Sequence, residues 1–328
     1  MLRTLALLLT LNAGAVAAAC TGPSLVDRLS PEQRTELNAA VAATPYAEGL
    51  VWTATRGGTV LTVVGTIHLY DPRHGPLFDR LDPMVAEQDL LLVEATSTEE
   101  AALQDAMLRD PSLVFITEGP TLPEMLDEAT WAALIDAMRA RGMPPVIGSR
   151  MQPWFLMMSL GMPPCAMDDV LAGRTGLDHM LIDLADAFGT PVAALEPWDT
   201  LFTLMSTSTQ QEQIALLKTG LMDEATQEEL FVAMLDGYFA GRVAEVWEVG
   251  RIALDFMPLM DPAAASAAFQ MTEDLLLTDR NRAWVDVIEN AATRDDRIMV
   301  AAGAAHLPGA EGVLNLLALN GWTIAPLQ

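Results

Sequence analysis

"GLVWTATRGGTVLTVVGTIHL", residues 49–69, is the stretch on which the reading of this chain turns. Two apolar runs flank Gly57 and Gly58, a dipeptide that lets a chain double back, so the stretch predicts a β-hairpin. The second run, Thr59 to Val64, closes at Gly65, and His68 comes three residues later. Glycine at such a point allows a sharp turn and a close approach of backbone to a ligand. "IMVAAGAAHLPGAEG", residues 298–312, repeats the layout with an apolar run, Gly303 and then His306. The chain has only four histidines, and two of them stand in these matched settings.

Working outward, two more short apolar runs end in an acid. Leu90 to Val93 is followed by Glu94, and Val192 to Leu195 by Glu196. Runs that are aliphatic without alternation suit strands covered on both faces. Helical patterns lie between them. Residues 24–43 carry Ser30 as N-cap and Pro31 at the first helical position. Residues 97–109 and 121–142 read as helices, "QPWFLMMSLGM" as a Met-rich apolar helix over the core, and "GLDHMLIDLADAFG" as an amphipathic helix stopped by Gly189. Residues 198–292 are helical by pattern, with breaks near Gly220, Gly241 and Pro258 to Pro262, and no linker sets them apart. They read as a helical insertion in one domain spanning 20–328. A helix from about Ala310 to Leu319 and a strand in "WTIAPL" close the chain. The sum is an α/β (mixed α+β) fold, a mostly buried central sheet flanked by helices.

Composition narrows the setting. The first residues, "MLRTLALLLTLNAGAVAAAC", have one arginine, a short apolar stretch and small residues before Cys20, the pattern of a signal peptide over 1–19. No later run is long and charge-free enough for a stable membrane span. A periplasmic or secreted protein is expected, with a lipoprotein anchored at Cys20 as the lesser alternative. Cys165 is the only other cysteine. In an oxidising compartment the pair predicts one disulfide; the alternative is a buried Cys165 with Cys20 free or lipidated. Acids outnumber Lys plus Arg by 44 to 18, a net charge of −26 that repels nucleic acid.

His68, Glu94, Glu196 and His306 all fall at or just past strand ends, the edge where open α/β sheets gather ligands. Two imidazoles and one or two carboxylates there would make a divalent metal site, with Mn, Co, Fe or Zn all compatible. The plain alternative is that each histidine bonds a nearby carbonyl in a turn. His74, in "DPRHGPL", is expected to be solvated, with a place on the cleft rim as the alternative. His179 is expected to pack or cap the start of its helix.

"VVGTIHL", "LLLVEAT", "GLDHMLIDLADAFGTPVAALE", "LLLTDRNRAW" and "MVAAGAAHLPGAEGVLNLLALNGWTIAPL" together resemble the TraB/GumN family, which includes pheromone-shutdown proteins and the Tiki proteases. The similarity runs over nearly all of the chain after Cys20 and keeps motif order. It implies a metal-dependent hydrolase, most plausibly a peptidase, and an erythromycin-esterase or ChaN-like fold. By position, His68 and His306 match the family histidines and Glu94 the glutamate after the second strand. Glu196 matches the recurrent Leu-Glu, and Arg280 or Asn281 an Arg-Asn pair. Asp178 matches a family aspartate, expected to be structural and to bond loop amides. Ala305 stands where glycine is common. In that scheme His68, His306 and Glu94 hold the metal, and Glu94, Glu196 and Arg280 serve catalysis. Glu94 is ligand or general base, and Arg280 steadies an oxyanion or pairs with Asp279 or another carboxylate. The substrate is a peptide or small molecule. The alternatives are a non-enzymatic binder of peptide, metal or haem, or an accessory protein of envelope or exopolysaccharide assembly.

Overall fold

The computed structural model describes residues 20–257 and 259–327. The signal peptide expected over 1–19 lies outside them. Six strands form one sheet: β1 (Val51–Arg56), β2 (Thr59–Thr66), β3 (Leu90–Val93), β4 (Val192–Ala194), β5 (Arg297–Gly303) and β6 (Thr323–Pro326). Their order is β4-β3-β5-β2-β1-β6. β1 and β2 make the expected hairpin, with Arg56 opposite Thr59 across the two glycines. β4, β3, β5 and β2 run parallel, and β1 is antiparallel to both β2 and β6.

The sheet is buried on both faces, which explains the missing polar alternation. Ile298, Val300 and Ala302 of β5 point to a core shared with Trp284, Ile288, Leu314 and Leu317. Met299 and Ala301, between them, point to the opposite core with Leu81, Val85, Leu177 and Leu181. Each large side chain removed from water contributes roughly 1.5–3 kcal/mol, so the two cores hold the strand ends firmly.

The helix over Pro31–Ala43 starts at Ser30, whose hydroxyl accepts from Gln33 N–H while the Gln33 side chain accepts from Ser30 N–H. The 121–142 segment is two helices rather than one, Leu122–Met125 and Glu128–Ala140. Asp127 divides them: its carboxylate accepts from the Thr130 N–H and hydroxyl, which starts a new helix. The Met-rich helix, Pro153–Gly161, packs not on the sheet but in a separate helical core, where Leu156 and Leu160 meet Leu217 and Leu221. The helical layer therefore draws on residues 97–171 as well as on residues 198–292. The last helix begins at Val313, three residues later than its pattern suggests, because Gly309 at φ 99° and Gly312 keep 309–312 in a turn. Cys20 and Cys165 form the expected disulfide, with Cα atoms 5.2 Å apart. Among the described residues no helix is long and apolar enough to cross a membrane.

Candidate active site

The four parallel strands are neighbours, so their carboxyl ends deliver Glu196, Glu94, His306 and His68 to one edge. The register is close: Gly65 lies opposite Ala302, and Thr66 opposite Gly303. β5 enters the sheet between β3 and β2, though it comes last of the three in sequence. Such a reversal of strand order opens a crevice at the carboxyl edge.

Gly303 shows how tightly the groups gather. A Cβ there would lie 3.0 Å from Glu94 Oε1, 3.4 Å from His306 Cδ2 and 3.9 Å from His68 Nε2. The two imidazole atoms thus cannot be farther apart than the sum of the last two distances. Gly65 has a different task. Its Cβ would meet Ala304 at 3.1 Å, so its missing side chain lets the two histidine loops pack together. Gly176 lies against the other side of the His68 loop, where a Cβ would stand 2.1 Å from the Ile67 carbonyl oxygen.

His68 Nδ1 donates to Asp178 Oδ2 at 2.9 Å, and its Nε2 is 3.8 Å from Glu94 Oε1. More than half of its side chain, 58 %, is exposed at the mouth. Desolvation pulls its pKa down, but the Asp178 hydrogen bond and the Glu94 charge outweigh it and raise the imidazole to about 9. The exposed face of the ring lets solvent temper that shift. His306 is buried and packs on Trp284, ring centroids 4.2 Å apart. Asn281 Nδ2 donates to the Glu311 carbonyl, which turns Asn281 Oδ1 toward His306 Nδ1 at 2.6 Å. His306 Nδ1 therefore carries the proton, and Nε2 keeps a lone pair facing Arg280 Nη1 at 3.4 Å. Burial pushes its pKa down to about 3; Glu94 opposes this, while Arg280 and His68 add to it.

Glu94 accepts from Gly303 N–H at 2.7 Å and from Arg280 Nη2 at 2.7 Å. Burial alone would raise its carboxyl. The two imidazoles, Arg280 and the Gly303 amide outweigh that and hold it well below the ordinary range. Arg280 is in turn fixed by Glu196, through Nε at 2.9 Å and Nη2 at 2.8 Å, and its Nη1 donates to the Leu276 carbonyl. Trp284 Nε1 donates to Glu196 at 2.9 Å. Arg280 thus pairs with Glu94 and Glu196, not with Asp279. Arg280, Asn281 and Trp284 sit at the start of the helix Asp279–Ala291, directly after a single π-helical turn, Asp274–Thr278. Such turns are rare and often mark functional sites.

Asp178 holds the His68 side of the site rather than bonding loop amides. Its Oδ2 also accepts from His179 Nδ1 at 3.1 Å, and His179 Nε2 reaches Glu100 Oε1 at 2.8 Å. His179 is therefore a partly exposed bridge between two carboxylates, not a packed helix-start residue, and the Asp178 bond is the first cause that raises it to about 9. His74 departs from expectation as well. It is 2 % exposed, donates from Nε2 to the Leu69 carbonyl, and packs edge-on against Tyr238 and Phe239. Neither Asp178 nor Asn281 stands out in the sequence as an imidazole partner. The one legible hint is the spacing in "DRNRAW", which puts Arg280 and Trp284 on one helix face.

Among the described residues, no three His, Cys, Asp or Glu side chains are arranged to hold a metal ion as they stand. The donor chemistry nevertheless suits one. Two imidazoles have Nδ1 clamped by acceptors, and both rings and the Glu94 carboxylate gather around a glycine that leaves the space open. A cavity of about 260 Å³ opens next to His68, Glu94, Arg280 and His306.

No curated protein matches the chain closely enough to count as a relative. A family model does match, over residues 50–326, which span every strand and every residue of the site. The chain belongs to the TraB/PrgY/gumN family.

Proposed function

We propose that this protein is an exported hydrolase that cleaves peptides at the carboxyl edge of its sheet, with a divalent metal ion held by His68, His306 and Glu94. The observation that carries the proposal is the matched clamping of the two imidazoles. Asp178 accepts a hydrogen bond from the Nδ1–H of one and Asn281 Oδ1 from that of the other, which leaves Nε2 as the outward nitrogen of each ring, His68 Nε2 at 3.8 Å from Glu94 Oε1 and His306 Nε2 facing Arg280. Acceptors of this kind, one shell out from the ion, are how metal-ligating histidines are oriented. The Asp178 hydrogen bond and the Glu94 charge raise the His68 imidazole, so an ion at Nε2 would compete with a proton there. The 3.4 Å contact between His306 Nε2 and Arg280 must also give way.

Such an ion would polarise an amide carbonyl and acidify a bound water. The chain's own groups do the rest. Arg280, locked by Glu196 and Trp284, keeps Glu94 ionised and aimed at Gly303. Arg280 Nε, Nη1 and Nη2 are all already engaged, so it acts as a positioning residue, and Glu196 acts through it. Export is supported by the Cys20–Cys165 disulfide, which persists in oxidising compartments.

Calorimetric titration with Mn²⁺, Co²⁺, Fe²⁺ and Zn²⁺, and then a peptide panel, tests the proposal. His68→Ala and His306→Ala should each lose ion binding and turnover. Glu94→Gln separates its two roles, since a general base would lose turnover with the ion retained, whereas a ligand would lose the ion. No ion uptake and no hydrolysis by the wild type would sink the hydrolase. The second reading, a non-catalytic peptide binder, is favoured by one observation: Arg280 already satisfies Glu94 and faces His306, a closed network needing no ion. Tight peptide binding with no turnover under any metal would select it.

A further inference from the structure

The cavity beside the candidate active site has two unlike walls. One is the polar edge already described. The other is apolar and comes from three helical segments that carry none of the site's charged side chains. Met234 and Tyr238 come from Glu224–Phe239, Val246 and Trp247 from Val243–Ile252, and Leu276 and Leu277 from the π-helical turn. Tyr238 is fixed on the floor, its hydroxyl donating to the Gly65 carbonyl at 3.0 Å. These helices hold the apolar wall against the loop that presents His68.

We infer that this wall is the subsite for one large apolar side chain of the peptide, Leu, Met or Phe in size, next to the bond to be cut. The inference rests on the peptidase reading for its reaction but not for its binding. Size supports it. The cavity is about 260 Å³, short of the roughly 300 Å³ at which sites for drug-sized ligands begin, yet ample for one side chain. Chemistry supports it too. A charged residue placed against Met234, Val246 and Leu277 would lose its hydration with no partner in return. A third observation points to the backbone of such a ligand. Thr66 lines the same cavity, is 2 % exposed, and its hydroxyl has no hydrogen-bond partner among the described residues. Buried hydroxyls of this kind are uncommon, and a peptide N–H or C=O lying along the end of β2 would satisfy it.

Two arms test the inference in the full-length protein. The first measures binding alone. The protein is labelled with ¹³C-methyl methionine, and the Met234 resonance is the one missing from Met234→Ala. N-acetyl-leucinamide should shift that resonance saturably, and N-acetyl-serinamide at the same concentrations should not. The second arm measures hydrolysis of peptides that differ at one position. Leu should exceed Ser and Asp by at least about tenfold in kcat/KM at one fixed place relative to the cut. Val246→Phe should narrow the pocket and favour Ala over Leu there. Met234→Ala should widen it and favour Phe, which guards against a Val246→Phe protein that fails to fold. A Met234 resonance that responds to neither amide overturns the subsite. Hydrolysis indifferent to the varied residue also overturns it while leaving the hydrolase standing. A saturable leucinamide shift without hydrolysis of any peptide keeps the subsite and ends the hydrolase.

Discussion

The two glycine-to-histidine corners share a layout and end in opposite states. Both histidines come three residues after a glycine at or near the end of a parallel strand, and the strands are neighbours in the sheet. His306 is buried, neutral and stacked on Trp284, with Asn281 Oδ1 accepting from its Nδ1–H. His68 stands at the mouth, more exposed than buried, with a carboxylate in the same role. A neutral amide leaves burial to dominate and drives His306 down to about 3; an ionised carboxylate reverses the balance and lifts His68 to about 9. The motif fixes where an imidazole stands, and its partner fixes which protons it keeps. The sequence places both histidines in loops outside the packed interior. His306 departs from this because the Asp279–Ala291 helix folds Trp284 over it.

The contrast predicts that the His306 corner is built into the core and the His68 corner is not. The largest effect should come from Arg280→Met, which strands Glu94 and Glu196 as buried carboxylates without their cation. A loss of about 3–5 kcal/mol in urea unfolding is expected. A cost below about 1 kcal/mol would mean that the buried network relaxes into water and that the corner is open after all.

On the His68 side, the disulfide packs with Ile67 and Leu69, the residues flanking His68. Cys165→Ser should cost about 2–5 kcal/mol in thermal or chemical unfolding. The His68 loop amides should also exchange with deuterium faster, while those around His306 stay protected. Equal loosening of both corners would remove the distinction.

The histidines themselves give a smaller and more direct comparison. His306→Ala leaves Asn281 Oδ1 without its donor and uncovers Trp284, so it should cost about 1–3 kcal/mol. His68→Ala removes a ring that is mostly in water and should stay within about 1 kcal/mol. Matching costs would show that the two environments differ less than their burial indicates.

The smallest effect is a pH dependence carried by His74. Burial lowers its pKa from the ordinary value of 6.5, with the Leu69 carbonyl, Asp71 and Asp178 opposing and Arg73 assisting. As pH falls through 6.5 the unfolded chain takes up a proton that the folded His74 refuses, so stability falls from there downward. The buried His306 acts in the same direction. His74→Phe should flatten the slope of stability between about pH 6.5 and 5 without changing its sign. An unchanged slope would mean that His74 is protonated in the fold.

Much of the site was legible because strand ends are local features. Gly65, Val93, Leu195 and Gly303 close apolar runs, and the residues just past a closed run stand at the sheet edge whatever the rest of the chain does. The hairpin at Gly57 and Gly58 and the capped helix after Ser30 were legible for the same reason, since turn and cap chemistry involves neighbours in sequence. The Met-rich helix was legible as a helix but not in its position. An all-round apolar pattern shows that a segment is buried without saying against what.

By itself, then, the sequence determined the strands, the two histidine corners, the two strand-end glutamates and the cysteine pair, because each rests on local backbone chemistry or on there being few residues of a kind. Only the tertiary structure decided the partners. His68 meets Asp178 across 110 residues, Glu94 meets Arg280 across 186, and His74 disappears beneath the helix that carries Tyr238. Proton affinity and hydrogen bonding act over a few ångströms of space and are blind to distance along the chain. Which imidazole is charged, and which arginine restrains which carboxylate, are therefore properties of the folded edge alone.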